Sequence, residues 1–130
     1  MITEDYVSFE TAKLLKEKGF DWECISYYVS DEPDDVKYSF CGETNSIWEL
    51  RCCSAPTLQM AMKWLREVYN IVICIHAYYP VDPYELSYRK NKPYWKICIM
   101  NHIYSRCYDS FNTYEEACET AIKYCLTNLI

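Results

Sequence analysis

Residues 54–79 have the sequence SAPTLQMAMKWLREVYNIVICIHAYY, which predicts a helix that leads directly into a strand. Pro56 suits the first turn of a helix, because an amide hydrogen at that position has no partner within the helix. Ser54 and Thr57 are both candidate N-caps, since either hydroxyl can accept a bond from a free first-turn amide. Asn70 predicts the helix end, because asparagine tolerates the left-handed conformation. The helical spacing forms one apolar stripe, which consists of Leu58, Ala61, Met62, Leu65 and Val68, with Trp64 at its edge.

The second half of this stretch has β-branched residues at alternate positions, which is typical of a strand. Both faces of the strand are mostly apolar, so we expect it to lie in the centre of a sheet. One face carries Ile71, Ile73, Ile75 and Ala77, and the other carries Val72, Cys74, His76 and Tyr78.

The rest of the chain predicts two further helices and four further strands. One helix is expected over residues 8–18, with Ser8 as its N-cap and Gly19 as its end. The last helix begins at Thr113, whose spacing to Glu116 forms a capping box. Its buried stripe is predicted to be Ala117, Cys118, Ala121, Ile122, Cys125 and Leu129. The other strands are expected at residues 24–29, 36–40, 94–101 and 102–108, with a turn at residues 31–35 and an irregular connection over residues 41–53 that can include a short strand.

These elements follow the order α-β-β-α-β-β-β-α and predict an α+β fold with about three helices. The connections between strands are short, which favours a single, mostly antiparallel sheet. Helices with one apolar stripe fit a sheet that is covered on one face. At 130 residues, the chain is expected to form one domain over residues 1–130. The long connection at residues 80–93 is typical of functional or mobile loops.

Composition and charge exclude several classes of function. The formal net charge of −6 disfavours nucleic acid as a partner, because phosphate binding needs a basic surface. An aromatic sheet face can stack on single-stranded RNA, but no aromatic-basic motif accompanies it here. The first ten residues, MITEDYVSFE, are acidic and lack the apolar core of a signal peptide. No apolar run is long enough to span a membrane. We therefore expect a cytoplasmic protein that makes no contact with a membrane.

Nine cysteines are present, and their odd number leaves at least one unpaired under any disulfide scheme. Without an export signal, we expect reduced thiols. Four of them lie in predicted strands or on the last helix and are expected to behave as small core residues. These four are Cys74, Cys98, Cys118 and Cys125.

Motifs for metal binding and catalysis are weak in this sequence. No Cys-x-x-Cys is present, and a zinc site would need Cys41, the adjacent pair Cys52 and Cys53, and a histidine to converge. His76 and Cys74 share a strand face, about 7 Å apart by the strand rise, which is too far for a direct nucleophile–base contact. The acidic residues 31–35 lack the ligand spacing of a calcium loop. We predict no catalytic residues, no metal ligands and no cofactor.

Aromatic residues are the most informative feature, with fourteen tyrosines and four tryptophans. If helices cover the sheet face that carries the isoleucines at positions 73, 75, 97 and 99, the opposite face is apolar and aromatic. Such a face is typical of an interaction surface, because tyrosine combines a wide contact area with a polar tip. We expect it to bind a protein partner or a second copy of the chain; the alternative is that another helix or the 80–93 loop covers it. The predicted partner-binding residues are Cys74, His76, Tyr78, Tyr94, Lys96 and Met100.

Two interpretations of function follow. The first is an intracellular accessory module without enzymatic activity, which acts by protein–protein contact and self-associates. The second is a small enzyme or ligand-binding domain with a pocket between the 80–93 loop and the sheet, formed by tyrosines, His76 and Arg89. An enclosed pocket that contains ionisable groups with perturbed pKa values favours the second interpretation, and a flat aromatic surface favours the first.

Three segments carry a resemblance to a known group of proteins. Residues 8–21 (SFETAKLLKEKGFD), 54–67 (SAPTLQMAMKWLRE) and 113–130 (TYEEACETAIKYCLTNLI) together resemble a family of small uncharacterised proteins from gut Bacteroidales and their phages and mobile elements. The Ala-Pro-Thr helix start that ends in Trp-Leu-Arg-Glu is the most specific part. The resemblance implies a bacterial or phage protein that acts inside the cell, and it implies no activity and no catalytic residues.

Overall fold

The computed structural model describes residues 5–48, 50–79 and 92–130, which form three helices and two three-stranded antiparallel sheets. The helices are α1 (Phe9–Glu17), α2 (Leu58–Tyr69) and α3 (Tyr114–Asn128). The strands are β1 (Cys24–Val29), β2 (Glu32–Glu43), β3 (Cys52–Ser54), β4 (Val72–Tyr78), β5 (Tyr94–Met100) and β6 (Ser105–Phe111). The predicted α+β class, the three helices and the antiparallel pairing are confirmed.

The prediction of one sheet is wrong, because the strands divide into two sheets. The first sheet has the order β2-β1-β3, and the second has the order β4-β5-β6. The short strand β3, absent from the predicted element order, pairs with β1 and ends just before the cap of α2. The chain thus leaves the first sheet through α2 before β4 begins, and β4 pairs with β5 instead.

The helix ends follow the local signals in the sequence. Ser8, Thr57 and Thr113 are the three N-caps, and each hydroxyl accepts a bond from the amide three residues ahead. Of the two candidates before α2, Ser54 instead belongs to β3 and is buried. Asn70 ends α2 in the left-handed conformation, with a φ of 56°, as predicted.

The first hairpin turns earlier than predicted. Ser30 and Asp31 alone form the turn, and β2 begins at Glu32 rather than after residue 35. Val29 pairs with Glu32 but Tyr27 pairs with Lys37, so the acidic segment between them is extra length bulged out of β2. A cluster of acidic residues with a proline is tolerated there because the bulge lies on the edge strand.

In the second sheet, β5 is the central strand and β4 is an edge, contrary to the prediction. The apolar pattern on both faces of β4 was misleading, because only one of its faces is turned to the helices. The turn before β6 takes residues 101–104, so that strand begins at Ser105 and extends three residues past the predicted end.

One core joins the two sheets through the helices. Helix α3 lies against the second sheet and against both other helices, while α1 contacts β3 of the first sheet. Fully buried side chains come from every helix, from the connection between α1 and β1 and from β5, and they include Leu15, Phe20, Leu65, Ile99 and Ile122. Among the described helices, none is long and apolar enough to cross a membrane.

Two positions of the predicted apolar stripe on α2 behave differently from expectation. Trp64, placed at the edge of the stripe by its spacing, is buried, with its ring edge against Phe20 at a centroid distance of 5.4 Å. Val68, placed within the stripe, is half exposed because α2 rises out of the core near its end. The stripe of α3 is as predicted, with Leu126 as an additional buried residue and Leu129 partly exposed.

Candidate functional site

The second sheet turns its two faces in the predicted directions. Ile97 and Ile99 of β5 are 1% and 0% exposed and face the helices. Ile73 and Ile75 of β4 are half-buried and also pack against the core. The side chains at alternate positions therefore point to the other face, which we call the open face.

All six predicted partner-binding residues lie on the open face, and the strand register places them in rows. His76 pairs with Lys96, and Tyr78 pairs with Tyr94. Met100 pairs with Val72, and Cys74 pairs with Cys98. The structure thus brings Cys74, His76, Tyr78, Tyr94, Lys96 and Met100 together in one surface, although it does not test whether a partner binds there.

Aromatic rings form one end of the open face. Tyr78 and Tyr94 stack with their centroids 5.9 Å apart and their planes at 29°. The Tyr78 hydroxyl lies 3.3 Å from the Oγ of Ser110 on β6, which holds this ring against the sheet. The pair presents a broad apolar surface with polar tips, a combination that suits protein contact.

A row of three cysteines crosses the middle of the open face. Cys74 of β4 pairs with Cys98 of β5, and Cys98 pairs with Cys107 of β6. Cys98 and Cys107 form a disulfide, with their Cα atoms 4.2 Å apart. This pair corrects two expectations, since Cys98 is neither a reduced thiol nor a core residue. The prediction that Cys74 is a core residue is also wrong, because this residue is only half-buried on the open face. The sequence carried no signal for the pairing, because the two residues face each other only through the β5–β6 register.

Four of the other cysteines are buried, namely Cys24, Cys53, Cys118 and Cys125. Burial raises the pKa of the Cys118 thiol to about 11 and that of Cys125 to about 12, and both residues are small core residues, as predicted. Burial also raises the pKa values of Cys24 and Cys53 to about 11. These four thiols stay protonated at neutral pH and are poor nucleophiles.

The outer edge of β4 is the second notable feature of this sheet. Its seven residues, VICIHAY, include no proline and no acidic or basic residue other than His76, and they pair with β5 without a register shift. Within the described part of the chain, no strand pairs with the outer side of β4. A regular, apolar, uncharged edge of this length is a template for pairing with another strand.

The other sheet edges carry features that oppose such pairing. Strand β2 contains Pro33, several charged residues and two register shifts. Strand β3 has three residues only. Strand β6 carries Arg106 and Asp109, and its pairing shifts near Ser110, which has a φ of 75°. Charges, prolines and bulges are the devices with which natural sheets prevent edge pairing.

A cluster of tyrosines joins β6 to α3. The Tyr104 hydroxyl lies 3.3 Å from that of Tyr108 and 3.0 Å from that of Tyr124. The Arg106 guanidinium lies 5.7 Å from the centroid of the Tyr108 ring. Hydrogen bonds with Tyr108 and then Tyr124 lower the pKa of Tyr104, and hydrogen bonding to Tyr104 raises the pKa of Tyr108. These contacts hold β6 and α3 together, which is a structural role for the cluster.

A concavity lies away from the open face. It is a groove of about 690 Å³ between the start of α1 and the bulged part of β2, and it is wide open to solvent. Its lining mixes both charges with two rings: Ser8, Phe9, Glu10, Lys13, Tyr28, Pro33 and Asp34. Glu10 is already paired with Lys123 at 2.7 Å, and this pair lowers the pKa of the Glu10 carboxyl. The groove therefore lacks the enclosed, convergent polar groups of a catalytic pocket.

Two of the predictions concern a pocket and metal binding. The pocket proposed between the 80–93 loop and the sheet rests mainly on residues 80–91, including Arg89, and these lie outside the described residues. Across residues 5–48, 50–79 and 92–130, no group of three or more histidine, cysteine, aspartate or glutamate side chains is placed to hold a metal ion.

Comparisons with known protein families, with curated proteins and with solved structures found no match for this chain. The resemblance to the Bacteroidales and phage family, the cytoplasmic location and the choice of partner therefore stay predictions. The open face and the β4 edge are the features on which a functional proposal rests.

Proposed function

We propose that this protein is an accessory module without enzymatic activity that acts through protein–protein contact, and that its first partner is a second copy of the chain. The unprotected edge of β4 is the observation that supports this proposal. Of the edge strands longer than three residues among those described, it alone lacks proline, fixed charge and register shifts. Main-chain bonds along such an edge provide affinity without any special side-chain motif.

The register of the second sheet indicates which backbone groups of β4 face outward. The Cα distance of 4.2 Å between Cys98 and Cys107 is typical of a non-hydrogen-bonded antiparallel pair. The N–H and C=O groups of Cys98 consequently point to β4, where they face the backbone of Cys74. Alternation along β4 then directs the N–H and C=O groups of Ile73, Ile75 and Ala77 away from the sheet.

Two copies can use these groups in a symmetric antiparallel pair. Full overlap of the seven residues centres on Ile75, so that Ile73 of each copy pairs with Ala77 of the other. On the open face, Cys74 then lies opposite His76 of the second copy, and Val72 lies opposite Tyr78. No carboxylate lies on this strand, although each copy carries a net charge of −6. The β4 edge is therefore a place where two acidic molecules can meet without strong repulsion.

The pairing joins the two open faces into one six-stranded surface. Because the edge pairs through backbone groups, the pairing itself does not use the aromatic side chains of the open face. The combined surface contains two copies of the stack of Tyr78 on Tyr94, one from each chain. A cytoplasmic setting is part of the proposal, and so is the bacterial or phage origin that the sequence resemblance implies.

Size-exclusion chromatography with light scattering tests the proposal. The wild-type chain is expected at twice the monomer mass of 15.6 kDa, and Ala77→Pro is expected at the monomer mass. Proline removes an outward amide hydrogen without breaking the ladder to β5, so the fold is retained. The matched variant Ala77→Val keeps the amide hydrogen and the dimer.

Circular dichroism of both variants verifies that the sheet is intact. A wild-type chain with the mass of one copy at every concentration contradicts the proposal. A dimer that survives in a folded Ala77→Pro variant also contradicts it.

A further inference from the structure

The three cysteines of the open face stand in an order that suits one chemical reaction. Cys98 is in the middle, with Cys74 on one side and Cys107 on the other, each directly opposite it in the strand register. In thiol–disulfide exchange, a thiolate attacks one sulfur of a disulfide while the other sulfur leaves from the far side. The row places the free Cys74 thiol on the side of Cys98 that faces away from Cys107.

The spacing across the row permits a disulfide on either side of Cys98. The Cα atoms of Cys98 and Cys107 are 4.2 Å apart. Cys74 and Cys98 form a hydrogen-bonded antiparallel pair, for which the Cα separation is about 5.5 Å. Disulfides usually span Cα separations of roughly 4.4–6.8 Å, so the Cys74–Cys98 pair lies inside that range and the Cys98–Cys107 pair lies just below it.

We propose that Cys74, Cys98 and Cys107 form a thiol–disulfide relay on the open face, in which the disulfide moves between the β5–β6 pair and the β4–β5 pair. The Cys74 thiolate attacks the Sγ of Cys98, a Cys74–Cys98 bond forms, the Cys98–Cys107 bond breaks, and Cys107 leaves as a thiolate. One disulfide and one thiolate are present before and after the step, so no outside oxidant or reductant is needed.

Accessibility supports this assignment. Cys107 is exposed, and Cys74 and Cys98 are half-buried on a face that no described helix covers. The four thiols whose pKa values are raised to about 11 or 12 by burial lie in the core and do not compete. Disulfides in reducing compartments are characteristically transient, catalytic or redox-sensing. The Cys107 thiolate released at the β6 edge is thus the group that would meet a small thiol or disulfide compound from solution.

The relay does not depend on self-association. It takes place within one chain, and edge pairing of β4 uses backbone groups rather than the side chains of the open face. A monomeric protein with a working relay would contradict the function proposed above while supporting this inference, and a dimer with a static Cys98–Cys107 bond would do the reverse.

Alkylation of Cys107 in the oxidised protein is the decisive measurement. The protein is oxidised with oxidised glutathione, freed of it, incubated with iodoacetamide at neutral pH and mapped by mass spectrometry. We expect Cys107 to be alkylated in the wild type, with labelling at least about tenfold slower in Cys74→Ser, because that variant has no attacking thiol. Cys52→Ser, a cysteine outside the row, serves as the control and is expected to label like the wild type. Equal labelling of Cys107 in the wild type and Cys74→Ser overturns the proposal.

A second variant keeps the test valid if Cys74→Ser is poorly folded. In Cys107→Ser, glutathione oxidation is expected to produce a Cys74–Cys98 disulfide, since Cys98 has lost its usual partner. Serine at this exposed edge position disturbs little packing. Absence of a Cys74–Cys98 disulfide in folded Cys107→Ser overturns the proposal, and so does absence of both disulfides in the oxidised wild type.

Discussion

The two sheets of this protein have the same number of strands and share one core, but they differ in regularity and in their edges. The first sheet is bulged twice along β1 and β2, and its long edge strand carries Pro33 and ion pairs from Lys37 to Glu32 and Asp35. The second sheet pairs β4 with β5 over seven residues without a shift. The first sheet is thereby closed to further strands, whereas the second is open to them.

The difference also extends to the polar groups of the two sheets. In the first sheet, buried polar side chains such as Ser26 bond to the backbone, and Asn45 spans from the Phe20 carbonyl to the Ser54 amide. In the second sheet, His76, Lys96 and the three cysteines lie on the open face, where the neighbouring strands pair them in rows. The comparison teaches that the polar side chains of the first sheet stabilise the core, while the second sheet has an edge, β4, with no partner strand among the described residues.

The substitution with the largest expected effect on stability tests whether the two sheets are a single folding unit. Replacing Ile99 by alanine removes a fully buried side chain from β5 and should lower the free energy of unfolding by about 2–5 kcal/mol. Because both sheets share one core, the urea transition is expected to remain a single step when followed by circular dichroism and by tryptophan fluorescence. Two separated transitions would show that the sheets unfold independently.

A smaller effect is expected on dimerisation, and it distinguishes the β4 edge from the β2 edge. A lysine at Val72 adds a charge to the β4 edge and should weaken dimerisation about tenfold, roughly 1.4 kcal/mol. The matched variant Tyr38→Lys adds the same charge to the already protected edge strand β2, where the side chain is exposed. Analytical ultracentrifugation should give an unchanged dimer dissociation constant for that variant. If the two lysines weaken the dimer equally, β4 is not the interface.

The smallest effect compares one tyrosine in each sheet. The buried Tyr28 hydroxyl donates to the Val7 carbonyl at 2.7 Å, so Tyr28→Phe should cost about 0.5–1.5 kcal/mol of stability. Tyr78→Phe, which loses only a 3.3 Å contact at the surface, should change stability by less than about 0.5 kcal/mol. Urea denaturation of both variants measures the difference.

The difference in stability between the wild type and Tyr28→Phe should also depend on pH. Burial raises the pKa of Tyr28 in the folded state above the ordinary value near 10. The folded state thus holds this proton more tightly, so the stabilisation is complete below pH 10 and is lost as the pH rises through the folded pKa. The advantage of the wild type over Tyr28→Phe is expected to shrink in that range, and an advantage that grows would contradict this interpretation.

Much of the fold could be predicted because its signals are local. Thr57 and Thr113 each cap a helix with a hydroxyl three residues from its amide partner, and Asn70 ends α2 through its own backbone preference. The alternation that identified β1 and β4 depends on neighbouring residues only. The grouping of the open-face residues was equally accessible, since alternate residues of a strand must share a face.

The errors arose where distant parts of the chain meet. Val68 and Trp64 exchanged their expected burial because the position of α2 against the core, rather than its own periodicity, determines which side is covered. The disulfide between Cys98 and Cys107 needed the β5–β6 register, and a shift of one residue would have turned one cysteine to the opposite face.

The amino-acid sequence by itself determined that there are three helices, how they are capped and which residues of each predicted strand share a face, because hydrogen bonds and side-chain periodicity act over a few residues. Only the tertiary structure decided that the strands form two sheets, that β4 is an edge and that three cysteines stand in one row. These properties depend on the register between strands that are far apart in the chain, and packing around a common core sets that register.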